Sequence, residues 1–98
     1  MPAAAREGDA VDTGHICDGT TVLDTPAQST IMIDGALACR ATDLTVLHGV
    51  PPVCAPHTAP INAGSSTVTI AGLPAARVGD SCDDGTITSG SGKVNIGG

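Results

Sequence analysis

The sequence is organised by an Arg followed three residues later by an Asp, which occurs three times at nearly even spacing. The copies are Arg6-Glu7-Gly8-Asp9, Arg40-Ala41-Thr42-Asp43 and Arg77-Val78-Gly79-Asp80. The three arginines stand 34 and 37 residues apart, and small residues precede each: Ala4-Ala5, Ala38-Cys39 and Ala75-Ala76. A second element recurs with them. Thr30-Ile31-Met32-Ile33-Asp34-Gly35, Thr67-Val68-Thr69-Ile70-Ala71-Gly72 and Lys93-Val94-Asn95-Ile96-Gly97-Gly98 each alternate and then end in a Gly turn. We read one domain over 1–98, built from three units at about 1–35, 36–72 and 73–98. A unit this small cannot bury a core alone, so the three must pack around a pseudo-threefold axis.

The units must be all-β. Thirteen Gly and seven Pro break the chain throughout, and short Val/Ile/Thr runs lie between Gly, Ser, Asp and Pro clusters. The chain has no Phe, Tyr or Trp. Aromatic side chains usually dominate a small core. A 98-residue domain without them calls for a metal, disulfides or a partner. Repetition of Arg-x-x-Asp argues for ion pairs that fix the turns, rather than for solvated surface charge.

The net charge of −6, with four fixed cations and no stacking aromatics, excludes a nucleic-acid interface. No apolar run reaches the ~20 residues of a membrane span. The Met1–Ala5 opening runs into Arg6-Glu7-Gly8-Asp9 without the apolar stretch of a signal peptide. Export, where it occurs, is expected by another route.

Pro74-Ala75-Ala76-Arg77-Val78-Gly79-Asp80, with the strand Thr67–Leu73 before it and the closing segment Gly90–Gly98, resembles the PAAR-repeat family. Pro2–Asp9 is a looser copy with an extra Ala. The middle copy departs further, with Leu37-Ala38-Cys39-Arg40 in place of Pro-Ala-Ala-Arg and Thr42 in place of Gly. The resemblance covers essentially the whole chain. It implies a small conical fold with short strands, a triangular base and a zinc-bound tip. It further implies a spike-tip protein that caps the trimeric β-helical spike of a type VI secretion system or contractile phage tail. One copy would sit on each trimer and sharpen it for membrane penetration, so that the target membrane is crossed mechanically and not spanned. An adaptor that docks secreted effectors on the spike is the alternative. On this reading the protein is cytoplasmic before firing, or sits at a virion tail tip, and is delivered outside the cell or into a target cell. With the repeats filling the chain, a bare tip without a toxin domain is expected.

The Cys and His residues fall in the loops after the Arg-x-x-Asp elements. His15 lies in the first loop, His48 and His57 in the second, and Cys82 in the third. Convergence of the three loops near the axis brings three imidazoles and a thiol together, a closed tetrahedral set suited to one structural zinc ion. The resemblance implies the same three-His, one-Cys pattern. Cys82 completes the unit that has no His. Cys54, three residues before His57, competes for the fourth position, and Cys17, two after His15, is a weaker candidate. The four cysteines also allow three full disulfide pairings, ranked below zinc because reducing compartments keep thiols free. Cys39, at the Ala76 position of the middle unit, reads as a small buried hydrophobe.

Nothing here reads as an enzyme. Four protein ligands close a zinc site, and Asp83-Asp84-Gly85 has the composition of a turn. Gly90-Ser91-Gly92-Lys93 lacks the rest of a phosphate loop. For the base, strand alternation sends Ile31, Ile33, Val68, Ile70, Val94 and Ile96 inward, and Met32, Thr69 and Asn95 outward towards the spike.

Overall fold

In a computed structural model, described here for residues 1–97, the chain is all-strand, with no helix among the described residues. It forms a body 38 Å long and 24 by 21 Å across. Ten strands of two or three residues run in chain order: β1 Ala10–Asp12, β2 Thr20–Val22, β3 Met32–Ile33, β4 Ala36–Leu37, β5 His48–Val50, β6 Ala55–His57, β7 Thr69–Ile70, β8 Leu73–Pro74, β9 Ser81–Cys82 and β10 Gly85–Ile87. All pairings are antiparallel. They form one four-stranded sheet, β2-β1-β10-β9, and three hairpins, β3-β4, β5-β6 and β7-β8.

The strands are short because the threefold arrangement turns the chain every few residues. Around the axis the backbone closes a ring of three hydrogen bonds. Ala5 N–H donates to the Ala76 carbonyl at 2.9 Å, Cys39 N–H to Ala5 at 3.1 Å, and Ala76 N–H to Cys39 at 3.1 Å. All three side chains are fully buried. Only a small side chain fits where three segments of the chain approach this closely, which explains the small residue before every Arg. Cys39 is the buried hydrophobe its position implies.

Each Arg-x-x-Asp element makes the same set of bonds. The Arg N–H and Nε both donate to Oδ2 of the Asp, and Nη2 donates to Oδ1. The remaining Nη1 donates to a carbonyl at the base, that of Asp34, Ala71 or Gly97. The fork geometry of guanidinium suits this bidentate pairing. It ties each turn to the end of a base strand.

Two apolar clusters stack along the axis. Nearer the base, Ala4, Ala38 and Ala75 pack with Ile70 and Ile96, and Ile33 packs against them. Above them lie Ala5, Cys39, Ala76, Leu23, Ile61, Ile87, Val11 and Cys82. Leu23, Ile61 and Ile87 are equivalent: each N–H donates to the Asp of the motif, Asp9, Asp43 or Asp80. Val11, Thr45 and Cys82 follow those Asp residues by two positions and are all fully buried.

The base strands differ from expectation in two respects. The segment Val94–Ile96 forms no hairpin of its own. It bridges to the start of the chain, through Ala3↔Asn95, Ala4 N–H to the Val94 carbonyl and Ile96 N–H to the Pro2 carbonyl. The first unit thus supplies the partner that β4 and β8 supply elsewhere. The inward face is also narrower than alternation implies. Ile33, Ile70 and Ile96 turn in, but Ile31, Val68 and Val94 are each 37% exposed, beside the exposed Met32, Thr69 and Asn95. The chain is still turning at the first three. Gln28 Oε1, Ser65 Oγ and Ser91 Oγ accept the N–H groups of Ile31, Val68 and Val94, so strand alternation begins only one residue later.

Candidate metal centre

Where the loop after β1, the β5-β6 hairpin and the β9-β10 turn meet, three imidazoles surround one carboxylate. The Nε2 atoms of His15, His48 and His57 stand 2.9, 2.8 and 3.2 Å from Asp83 Oδ2. The His57 and His48 Nε2 atoms are 2.8 Å apart. Ligand atoms from all four residues lie within 4.8 Å of one another.

Each group is placed by its own element. His48 and His57 open and close the β5-β6 hairpin and face each other in register. Thr45 Oγ1 accepts the Ala59 N–H and lies 3.2 Å from His48 Nδ1, tying the hairpin base to the body. His15 rides the loop between β1 and β2, where Thr13 Oγ1 donates to the Asp18 carbonyl at 2.7 Å. That loop lies hard against the β9-β10 hairpin. A Cβ on Gly14 would collide with the Asp84 carbonyl, and one on Gly85 with the Asp12 carbonyl. Only glycine allows this approach, and it brings His15 within reach of Asp83. Asp83 sits in the hairpin turn at φ 55°, its carbonyl held by Asn62 Nδ2 at 3.1 Å.

The second ring nitrogens set the chemistry of the first. His48 Nδ1 is 2.9 Å from the Val46 carbonyl, and His15 Nδ1 is 3.0 Å from the Ile16 carbonyl. A carbonyl only accepts, so both Nδ1 atoms carry hydrogen, and in the neutral rings both Nε2 atoms present lone pairs. Those lone pairs point at a carboxylate oxygen, which also only accepts. The cluster therefore needs positive charge at its centre, either protons or a metal ion. Carbonyl-anchored imidazoles are the usual support of metal ligands. His15 is held above its ordinary value, first by the Ile16 carbonyl and then by Asp83. Asp83 is pushed up by burial, but hydrogen bonds from His48, His15 and His57 outweigh this and hold it below the usual carboxylate range.

The three histidines named from the sequence thus come together, and the candidate cysteines do not join them. Cys82 is fully buried in the apolar cluster, where burial pushes its thiol up to about 11. Cys82 and Asp83 are consecutive and point to opposite sides, and it is Asp83 that faces the imidazoles. Cys54 is bonded to Cys17 in a disulfide, which removes both as thiolate ligands and corrects the ranking of disulfides below metal for this pair. Cys39 and Cys82 remain free. In the sequence Asp83 reads as part of an Asp-Asp-Gly turn in preference to a carboxylate acting beside the metal, and not as a ligand. Its position beside Cys82 in the third loop was the available signal.

A pseudo-threefold stack of short strands closed by ion-paired turns thus carries a three-His, one-carboxylate cluster whose donor atoms are close enough to hold a metal ion. A family profile described as the PAAR motif matches residues 16–83 and again 53–98, and the chain belongs to that family. PAAR proteins are structural spike-tip components of contractile injection systems. No curated protein matches the chain. Among the described residues no helix is long and apolar enough to cross a membrane.

Proposed function

We propose that this protein caps the end of a trimeric contractile-injection spike, one copy per trimer, with its tip stiffened by one zinc ion held by His15, His48, His57 and Asp83. The observation that carries the docking reading is the repetition at the base. Ile31, Val68 and Val94 have the same exposure, and Met32, Thr69 and Asn95 lie beside them, so a single chain offers three like faces to three like partners. The tip reading rests on the opposed lone pairs of the cluster, which a divalent cation satisfies. Three imidazoles and a carboxylate give a closed tetrahedral set, and zinc accepts both donor types. When bound, zinc supplies a rigid cross-link between three loops. The residues themselves hold the rings in the right tautomer and keep the core beneath them dry. A closed site of this kind stabilises and leaves no position for a substrate.

Elemental analysis of purified protein should return about one zinc per chain, and light scattering with the cognate spike one copy per trimer. Cobalt substitution separates the fourth ligand. Asp83 ligation gives a spectrum without thiolate-to-metal charge transfer, unchanged in Cys82→Ser and altered in Asp83→Asn. Strong charge transfer that disappears in Cys82→Ser would assign the position to Cys82 instead.

A further inference from the structure

The tip holds a second chemical feature that the spike reading does not use. Cys17 and Cys54 are joined across 37 residues, and both are exposed. Cys17 is two residues beyond His15. Cys54 lies in the β5-β6 turn, between the strands that carry His48 and His57. The bond therefore links the loop of one ligand to the hairpin of two others. Apart from the His15 ring, which stacks on His48 and stands edge-on to His57 with centroids 5.3 and 5.4 Å apart, the loop meets the hairpin through two hydrogen bonds: Gly49 N–H donates to Asp18 Oδ2 at 2.6 Å, and Asp18 N–H to the Gly49 carbonyl at 3.5 Å. Residues 16–20 of the loop are all exposed, so no buried apolar side chain holds them down.

We propose that Cys17 and Cys54 form a redox latch on the tip: as a disulfide they pin the His15 loop to the hairpin of His48 and His57, and as thiols they release it. The exchange partner is a small disulfide or a dithiol. In closing, one thiolate attacks the small disulfide and expels a thiol, and the second cysteine then displaces the other half. Two protein thiols and one small disulfide become one protein disulfide and two small thiols, and a dithiol reverses the step. Cys39 and Cys82 take no part, because both are fully buried. In a reducing compartment the tip is open, and in an oxidising one it is locked. The effect on metal retention rests on the zinc reading above, but the effect on the loop does not.

The test is amide hydrogen exchange over residues 13–20, in protein oxidised with glutathione disulfide and in protein reduced with a phosphine. Reduction should speed exchange there by at least about tenfold. The Cys17→Ser, Cys54→Ser double variant should match the reduced protein in both buffers. Equal exchange in the two redox states overturns the latch. With zinc loaded, transfer to a competing chelator should speed up on reduction. Slower transfer on reduction would also overturn it, since the freed thiols would then be ligands. If neither state binds zinc, the metal reading falls, and the exchange comparison alone decides the latch.

Discussion

The Nε2 atoms of His48 and His57 stand 2.8 Å apart, each also within hydrogen-bond reach of Asp83 Oδ2. Two imidazole nitrogens at that distance require a proton or a cation between them. The cluster is thus a charge-binding device whichever ion fills it. Its behaviour with pH should reveal which.

Metal-free protein should be most stable at mildly acid pH. His15 is raised above 6.5, so its contribution is complete below that value and is lost as pH rises through the folded value. Asp83 is lowered from 3.8, so its contribution is present above that value and is lost as pH falls through the folded value. Both act together between 3.8 and 6.5. Zinc binding needs deprotonated rings, so zinc-loaded protein should gain stability over the range where apoprotein loses it. Melting curves at about pH 5.5 and about pH 8, with and without zinc, should show opposite trends. Parallel trends would mean the histidines bind no metal.

Arg40→Ala should be the most damaging of the three motif substitutions. The Arg40–Asp43 pair is the most buried, with side chains 7% and 3% exposed. Removing one member leaves an uncompensated buried carboxylate, a loss of about 3–5 kcal/mol. Arg6→Ala and Arg77→Ala act on more exposed pairs and should cost less. Denaturant midpoints of the three variants should rank accordingly, and equal midpoints would contradict it.

Thr42→Gly should stabilise the protein. Thr42 has φ 79°, in the position filled by Gly8 at φ 87° and Gly79 at φ 93° in the other units. A β-branched residue is strained there, and relief of about 1–2 kcal/mol exceeds the extra unfolded-state entropy of Gly. The melting temperature should rise by a few degrees, about 4 °C. A fall would show that the Thr42 side chain contributes a contact worth more than the strain.

Thr69→Asp should weaken docking on a spike trimer while leaving zinc content and melting unchanged. Thr69 is exposed on β7 at the base, so a carboxylate there disturbs no internal packing. Buried unpaired in an interface, it is costly. A titration showing normal docking would place the contact elsewhere on the body.

The sequence by itself determined the threefold frame. Arg-x-x-Asp, the small residues before it and the alternating segments are local patterns, and each maps onto one recurring set of bonds. The three histidines were legible for the same reason, since each follows its Asp within one loop. The rest depended on distances that no local pattern encodes. Cys82 ends β9 and faces the core while Asp83 begins the turn with a left-handed backbone, and only the packing of the β9-β10 hairpin against Gly14 decides which one meets the histidines. Cys17 and Cys54 are 37 residues apart in sequence and 5.6 Å apart in space between Cα atoms, a closeness created by the docking of one tip loop on another hairpin. The third base segment finds its partner at the start of the chain because a closed ring of units must join its last member to its first. In each case the deciding contact is long-range, and its energy exists only once the three units have assembled around their axis.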